Sequence, residues 1–151
     1  MQCTENRAGE SPAVHTLADF KRDGAACLRG VFKDWIPLMT EGIERNLREP
    51  GPLASESARG EETGRFFDDY CNWRRIPEFE RIVHESPAAK LAATYMESMT
   101  AQFFHDHVLV KEPGVQKQTP WHSDMRYYFI GDRQTISFWI PVDPSRTRLC
   151  A

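Results

Sequence analysis

The hydrophobic pattern of this chain changes period once, near Thr100, and that change limits the fold more than any other feature. Upstream, apolar residues recur at helical spacing. From Phe103 onward they alternate, as strands require. At 151 residues the chain has the length of one domain. Helices first and strands afterwards within one unit predict an α+β domain rather than alternating βαβ units.

Thr16 followed by Asp19 predicts a capped helix start, with Leu17 and Phe20 buried and Gly24 as the stop. Ala25 to Leu28 reads as a small strand and Gly30 as a turn. Asp34 is placed to cap a second helix, which carries Trp35, Leu38, Met39, Ile43 and Leu47 and ends at Pro50, Gly51 and Pro52. Residues 51–64 are rich in chain breakers and read as an exposed, mobile loop. Phe66 to Tyr70 is a strand candidate and Pro77 to His84 a short helix. Ser86-Pro87 opens a further helix, with Pro87 at its first position and Leu91, Ala92, Tyr95, Met96 and Met99 along it. Three extended segments follow: Phe103 to Lys111, Pro120 to Tyr128, and Thr135 to Val142, the clearest strand of the chain. Glu112-Pro113-Gly114 breaks the first of these.

Charge and composition exclude several classes. Hydrophobic residues make up 40% and charged residues 27%, a globular rather than disordered balance. The net charge of -3 offers nothing to a polyanion, so no nucleic-acid partner is expected. No apolar run reaches bilayer length, so no membrane partner is expected either. The segment 1–14 reads as a flexible leader without the pattern of a signal peptide, and the default location is cytoplasmic. Cys3, Cys27, Cys71 and Cys150 are scattered, with no C-x-x-C pair, and read as reduced thiols.

The chemistry concentrates at Trp121-His122-Ser123-Asp124. Residues i and i+2 of a strand point to one face, so His122 and Asp124 project together. An imidazole and a carboxylate on one face are two legs of the 2-His-1-carboxylate triad that holds non-haem iron(II) with open positions. The same spacing also serves a surface His–Asp hydrogen bond. His105, His107, Leu109 and Lys111 share a face of their strand, and His105 with His107 has the spacing of a rival metal pair. On the last strand Ile136, Phe138, Ile140 and Val142 form an apolar face, with Thr135, Ser137 and Trp139 opposite. Tyr127 and Tyr128 are placed to line a substrate mouth.

The ordered blocks His105-Asp106-His107 to Gly114, Thr119 to Asp124, Tyr127-Tyr128 and Thr135 to Pro144 together resemble the bacterial branch of the phytanoyl-CoA dioxygenase family. The resemblance covers residues 103–144 most strongly and reaches back, more weakly, to Thr16. It implies a double-stranded β-helix, or jelly roll, with N-terminal helices, here a partial one over residues 15–144 followed by a non-family tail at 145–151. It implies iron(II) held by His122 and Asp124, with 2-oxoglutarate as cosubstrate and O2 and a small organic molecule as the other reactants. Trp139 matches an aromatic lining the 2-oxoglutarate site, although a plain core tryptophan explains it equally. The family also places pocket residues near His107.

Two departures stand out. Ser123 occupies a position where glutamine is common. The family's third ligand is a distal histidine followed by an arginine that anchors 2-oxoglutarate. The five histidines here are His15, His84, His105, His107 and His122, and none follows Asp124. Three readings are therefore carried forward: an oxygenase fragment, inactive as given; a non-catalytic remnant or scaffold; and a β-domain that binds metal through His105 or His107.

Overall fold

The computed structural model describes residues 16–57, 64–115, 122, 128 and 134–143. Helix α1 is Leu17–Asp23, and both of its ends are chemically determined. The Thr16 hydroxyl accepts from the Asp19 N–H at 3.2 Å, while the Asp19 carboxylate accepts from the Thr16 N–H at 2.8 Å. This reciprocal box satisfies two donors that a helix start leaves open. Gly24, at φ +73°, ends the helix in the left-handed conformation that glycine adopts at low cost. Leu17 and Phe20 are half-buried rather than buried, because α1 meets the rest of the chain along one narrow line. There Phe20 packs edge-on against Tyr95 at 5.2 Å, and Lys21 pairs with Glu97 at 2.5 Å.

Ala25 to Leu28 does not form the predicted strand. The stretch lies between Gly24 and the Gly30 turn and has no strand to pair with among the described residues. A single helical turn, Lys33–Trp35, then leads into helix α2, Ile36–Arg48. Asp34 lies inside that turn and does not cap α2, whose first turn instead carries Pro37. Helix α3 is Pro77–Glu85, again with proline in its first turn, and α4 is Ala88–Tyr95. Ser86 Oγ accepts from the Ala88 N–H at 3.3 Å, so Pro87 precedes α4 rather than occupying its first position. Helix α4 ends before Met96 and Met99, and Met99 is fully exposed.

Three strands form one antiparallel sheet in the order β1 (Ser55–Ser57), β2 (Phe66–Tyr70), β3 (His107–Lys111). The expected loop at 51–64 thus contains a strand, and Gly51 and Ala54 within it are half-buried. The expected strand from Phe103 shortens to its second half, because residues 103–106 lie outside the ladder. Thr135 to Val142 pairs with no strand among the described residues, so the predicted strand is absent there. Its alternation persists in burial alone. Ile136, Phe138, Ile140 and Val142 are half-buried, and Phe138 meets Phe32 edge-on at 6.0 Å. Alternation tells which side chains turn inward, but a ladder also needs a partner backbone. The result is a mixed fold of helices and a small antiparallel sheet, with three strands among the described residues. Pro120 to Tyr127 lies outside them except for His122.

Register decides what each sheet face carries. Phe67 pairs with Val110 and Asp69 with Val108, while Tyr70 pairs with His107 and Asp68 with Leu109. Phe67 and Val108 turn inward and join Ile76 and Phe79 in the core, with Ile43 and Leu47 of α2 and Ile82 of α3 packed against it. Helices α2 and α3 therefore back one face of the sheet. They approach closely at Gly42, where an added Cβ would lie 2.7 Å from Phe79 Cδ1. Beside that contact the Arg45 guanidinium grips both oxygens of the buried Glu78 carboxylate, at 2.6 to 3.1 Å. This pairing holds the Glu78 carboxyl below its ordinary range.

Asp69 is fully buried, and no cationic partner meets it among the described residues. Its carboxylate accepts from Asn46 Nδ2 of α2 at 2.8 Å, the Gly51 N–H at 2.7 Å and the Tyr70 N–H at 2.8 Å. Burial pushes its carboxyl up, but these hydrogen bonds outweigh the burial and hold it below the ordinary value.

Two outcomes follow for stability. Gly42→Ala gains about 1 kcal/mol of helix propensity but must displace the buried Phe79 ring, an overpacking cost of about 1–3 kcal/mol. A lower midpoint in urea than wild type is expected, and a higher one would show that the α2–α3 contact gives way easily. Asp69 and Glu78 are both depressed, so their stabilisation is present above the ordinary carboxylate range and is lost as pH falls through the lower folded values. Asp69→Asn should cost about 2 kcal/mol at neutral pH by turning a donor onto donors. It should also flatten the acid limb of a stability–pH curve, and an acid limb as steep as that of wild type would contradict the assignment.

Candidate functional site

The ladder position Tyr70↔His107 sets two rings side by side at the end of β2 and β3. They stack at 3.8 Å between centroids and 19° between planes. His105, just before the strand, lies 6.2 Å from the same tyrosine ring. The imidazoles that the sequence pairs by spacing therefore gather around Tyr70. Tyr128 packs edge-on against His105 at 5.3 Å and against Phe104 at 5.4 Å. That contact brings the chain six residues beyond His122 against the start of β3.

Each ring presents an apolar face and a polar edge, a combination suited to a flat ligand with polar substituents. His107 is exposed, and Phe104 beside the cluster is 53% exposed. On the neighbouring turn, Trp73 meets Phe103 at 5.5 Å and His84 at 5.8 Å, with the Arg74 guanidinium 4.8 Å above its ring. Cys71 carries a free, exposed thiol. Partial desolvation, reinforced by the Asp106 and Asp69 carboxylates, pushes that thiol up, which suits a neutral group rather than a thiolate nucleophile.

The other sequence candidates are placed less closely. His122 is exposed, and Asp124, its proposed co-ligand, lies outside the described residues, as does Tyr127. Trp139 is 71% exposed. Among the described residues no three His, Cys, Asp or Glu side chains converge as a metal site requires. The packing of His105 and His107 on Tyr70 gives these imidazoles a ring-stacking role. A shallow groove lined by Trp35, Leu38, Glu41 and Arg81 shares no residue with this cluster. Sequence reasoning missed Tyr70, whose place beside His107 depends on a cross-strand register that no local pattern reveals. It also missed Asp106, read there only as part of a family block.

Helices backing one face of an antiparallel sheet, with imidazoles and phenols gathered at one end, define an α+β domain with an aromatic, histidine-bearing site. The sequence model of the phytanoyl-CoA dioxygenase (PhyH) family matches residues 20–148, and the chain belongs to that family. Its members are typically oxygenases and generally use Fe(II) and 2-oxoglutarate. No curated protein and no solved structure matches the chain. No helix among the described residues is long and apolar enough to cross a membrane.

Proposed function

We propose that this chain carries the fold and two metal ligands of an iron(II)- and 2-oxoglutarate-dependent dioxygenase acting on a small organic substrate, with its sheet forming part of a jelly roll, and that with only His122 and Asp124 assigned as ligands it turns over little by itself. The observation that carries this reading is the family match across residues 20–148, which spans the His122-x-Asp124 motif. His122 and Asp124 would hold the metal. His107 and Trp139 would line the cosubstrate side. Tyr128 against His105 supports a common site, because it ties the motif's segment to the start of β3.

The described residues do not assemble a metal-ligand set; iron(II) with 2-oxoglutarate, when bound, would supply the oxidising chemistry. What the chain's own groups offer is binding surface: ring faces at Tyr70 and His107, and polar ring edges at His105 and Tyr128. The reading of His105 and His107 as a separate metal pair is less favoured, since both rings are engaged with Tyr70.

Anaerobic titration of the 151-residue chain with Fe(II) and 2-oxoglutarate, followed by visible charge-transfer absorption, tests the ligand assignment. His122→Ala and Asp124→Ala should each weaken metal binding by more than the roughly 10–100-fold that losing an outer partner costs a metal site. His105→Ala should leave it unchanged. Metal binding that survives both His122→Ala and Asp124→Ala but is lost in His105→Ala would overturn the assignment in favour of the rival pair. Two protein ligands hold iron weakly, so succinate release coupled to O2 uptake is expected to stay near that of the His122→Ala control. Turnover well above that control would show that the chain is a competent oxygenase as it stands.

A further inference from the structure

The chain leaving β2 reverses through Cys71, whose φ of +60° lies in the left-handed region that side chains other than glycine seldom adopt. The reversal turns three consecutive N–H groups toward a single residue beside β3. Cys71 N–H donates to the Asp106 carbonyl at 3.1 Å. Asn72 N–H donates to Asp106 Oδ2 and Trp73 N–H to Asp106 Oδ1, both at 3.0 Å. A non-glycine residue stays in a sparsely populated conformation only where its surroundings over-determine it, and Asp106 supplies that determination. Asp106 also lies between His105 and His107 in sequence. The turn it closes starts at Tyr70, the ring on which both histidines pack.

We propose that Asp106 is a positioning residue for the imidazole–tyrosine site: it clamps the Cys71–Trp73 turn, keeps Tyr70 stacked on His107, and so sets the direction in which His107 meets a ligand. This rests on the reading of His107 as a wall of the 2-oxoglutarate pocket. The clamp depends on two acceptors, not on bulk. Asp106→Asn keeps the volume but turns an NH2 group toward one of the two N–H donors, whereas Asp106→Ala removes both acceptors.

The test has two readouts on the full chain: ring-current shielding of the His107 imidazole by Tyr70, seen by NMR, and affinity for 2-oxoglutarate in the presence of Fe(II) without O2. Asp106→Asn and Asp106→Ala are both expected to lose the shielding and to bind 2-oxoglutarate about tenfold more weakly. The methyl signals of the core residues Ile76 and Val108 should stay in place. Tyr70→Leu should weaken binding equally, Tyr70→Phe should retain it, and Tyr70→Leu combined with Asp106→Asn should be no weaker than either alone, because linked residues are not additive. Retained His107 shielding in Asp106→Asn, or additive losses in the double variant, would overturn the proposal. If Asp106→Ala does not fold, the isosteric Asp106→Asn and the Tyr70 pair decide the matter. A wild-type chain that binds no 2-oxoglutarate would sink the pocket reading, and the clamp would then be judged by the shielding alone.

Discussion

A buried carboxylate answered, among the described residues, by neutral donors is the interaction on which the arrangement of this domain turns. Asp69 has no exposure, and its hydrogen bonds come from three separate places: the Asn46 amide on α2, the backbone after α2 at Gly51, and the backbone of β2 at Tyr70. A charge in that position tolerates very little misplacement, since each lost donor leaves an anion partly unsolvated in a poorly polarisable surrounding. Helix, connecting loop and strand are therefore fixed relative to one another by one side chain. The apolar contacts of Phe67, Ile76, Phe79 and Val108 fill the space that this arrangement defines. Packing supplies cohesion here, and the carboxylate supplies alignment.

The two polar ties of the interior work differently. Glu78 meets a guanidinium with both oxygens, and Arg45 keeps part of its surface in water, so that pair joins α2 to α3 across a boundary. Asp69 joins α2 to the sheet entirely within the protein. Between them the second helix is held on two sides, which explains why a residue as small as Gly42 occurs where α2 and α3 meet. The helices are drawn close enough that no Cβ fits.

Local features of the fold were legible in the sequence where the determining chemistry is itself local. Thr16 with Asp19, Gly24, and Pro77 at the start of α3 all act within one turn of chain, and those helix ends followed from them, whereas the start of α2 was placed at an Asp34 cap that does not form. Phe66 to Tyr70 was legible as a strand for the same reason. The failures share another cause. Ala25 to Leu28 and Thr135 to Val142 were read as strands from their own residues, but pairing is decided by a distant backbone, which a local stretch does not report. Ser55 to Ser57 shows the converse, since three polar residues become a strand because Asp68, Phe67 and Phe66 lie opposite. At the candidate site, His107 was visible as a histidine on a strand face. Its partner Tyr70 was not, because the 36 residues from Cys71 to Asp106 separate two rings that the ladder places in contact.

The sheet's two faces answer to different masters. Phe67, Asp69 and Val108 are committed to the helices, and substitutions there act first on whether the chain folds. Tyr70, His107, Leu109 and Lys111 alternate with them along the same strands but point away, with Leu109 54% exposed. One backbone thus carries two nearly independent sets of side chains, spaced one residue apart. Evolution can rewrite the outward set, and with it what the domain recognises, without disturbing the set that holds the protein together. A family built on such a strand can diversify its chemistry cheaply while keeping its architecture.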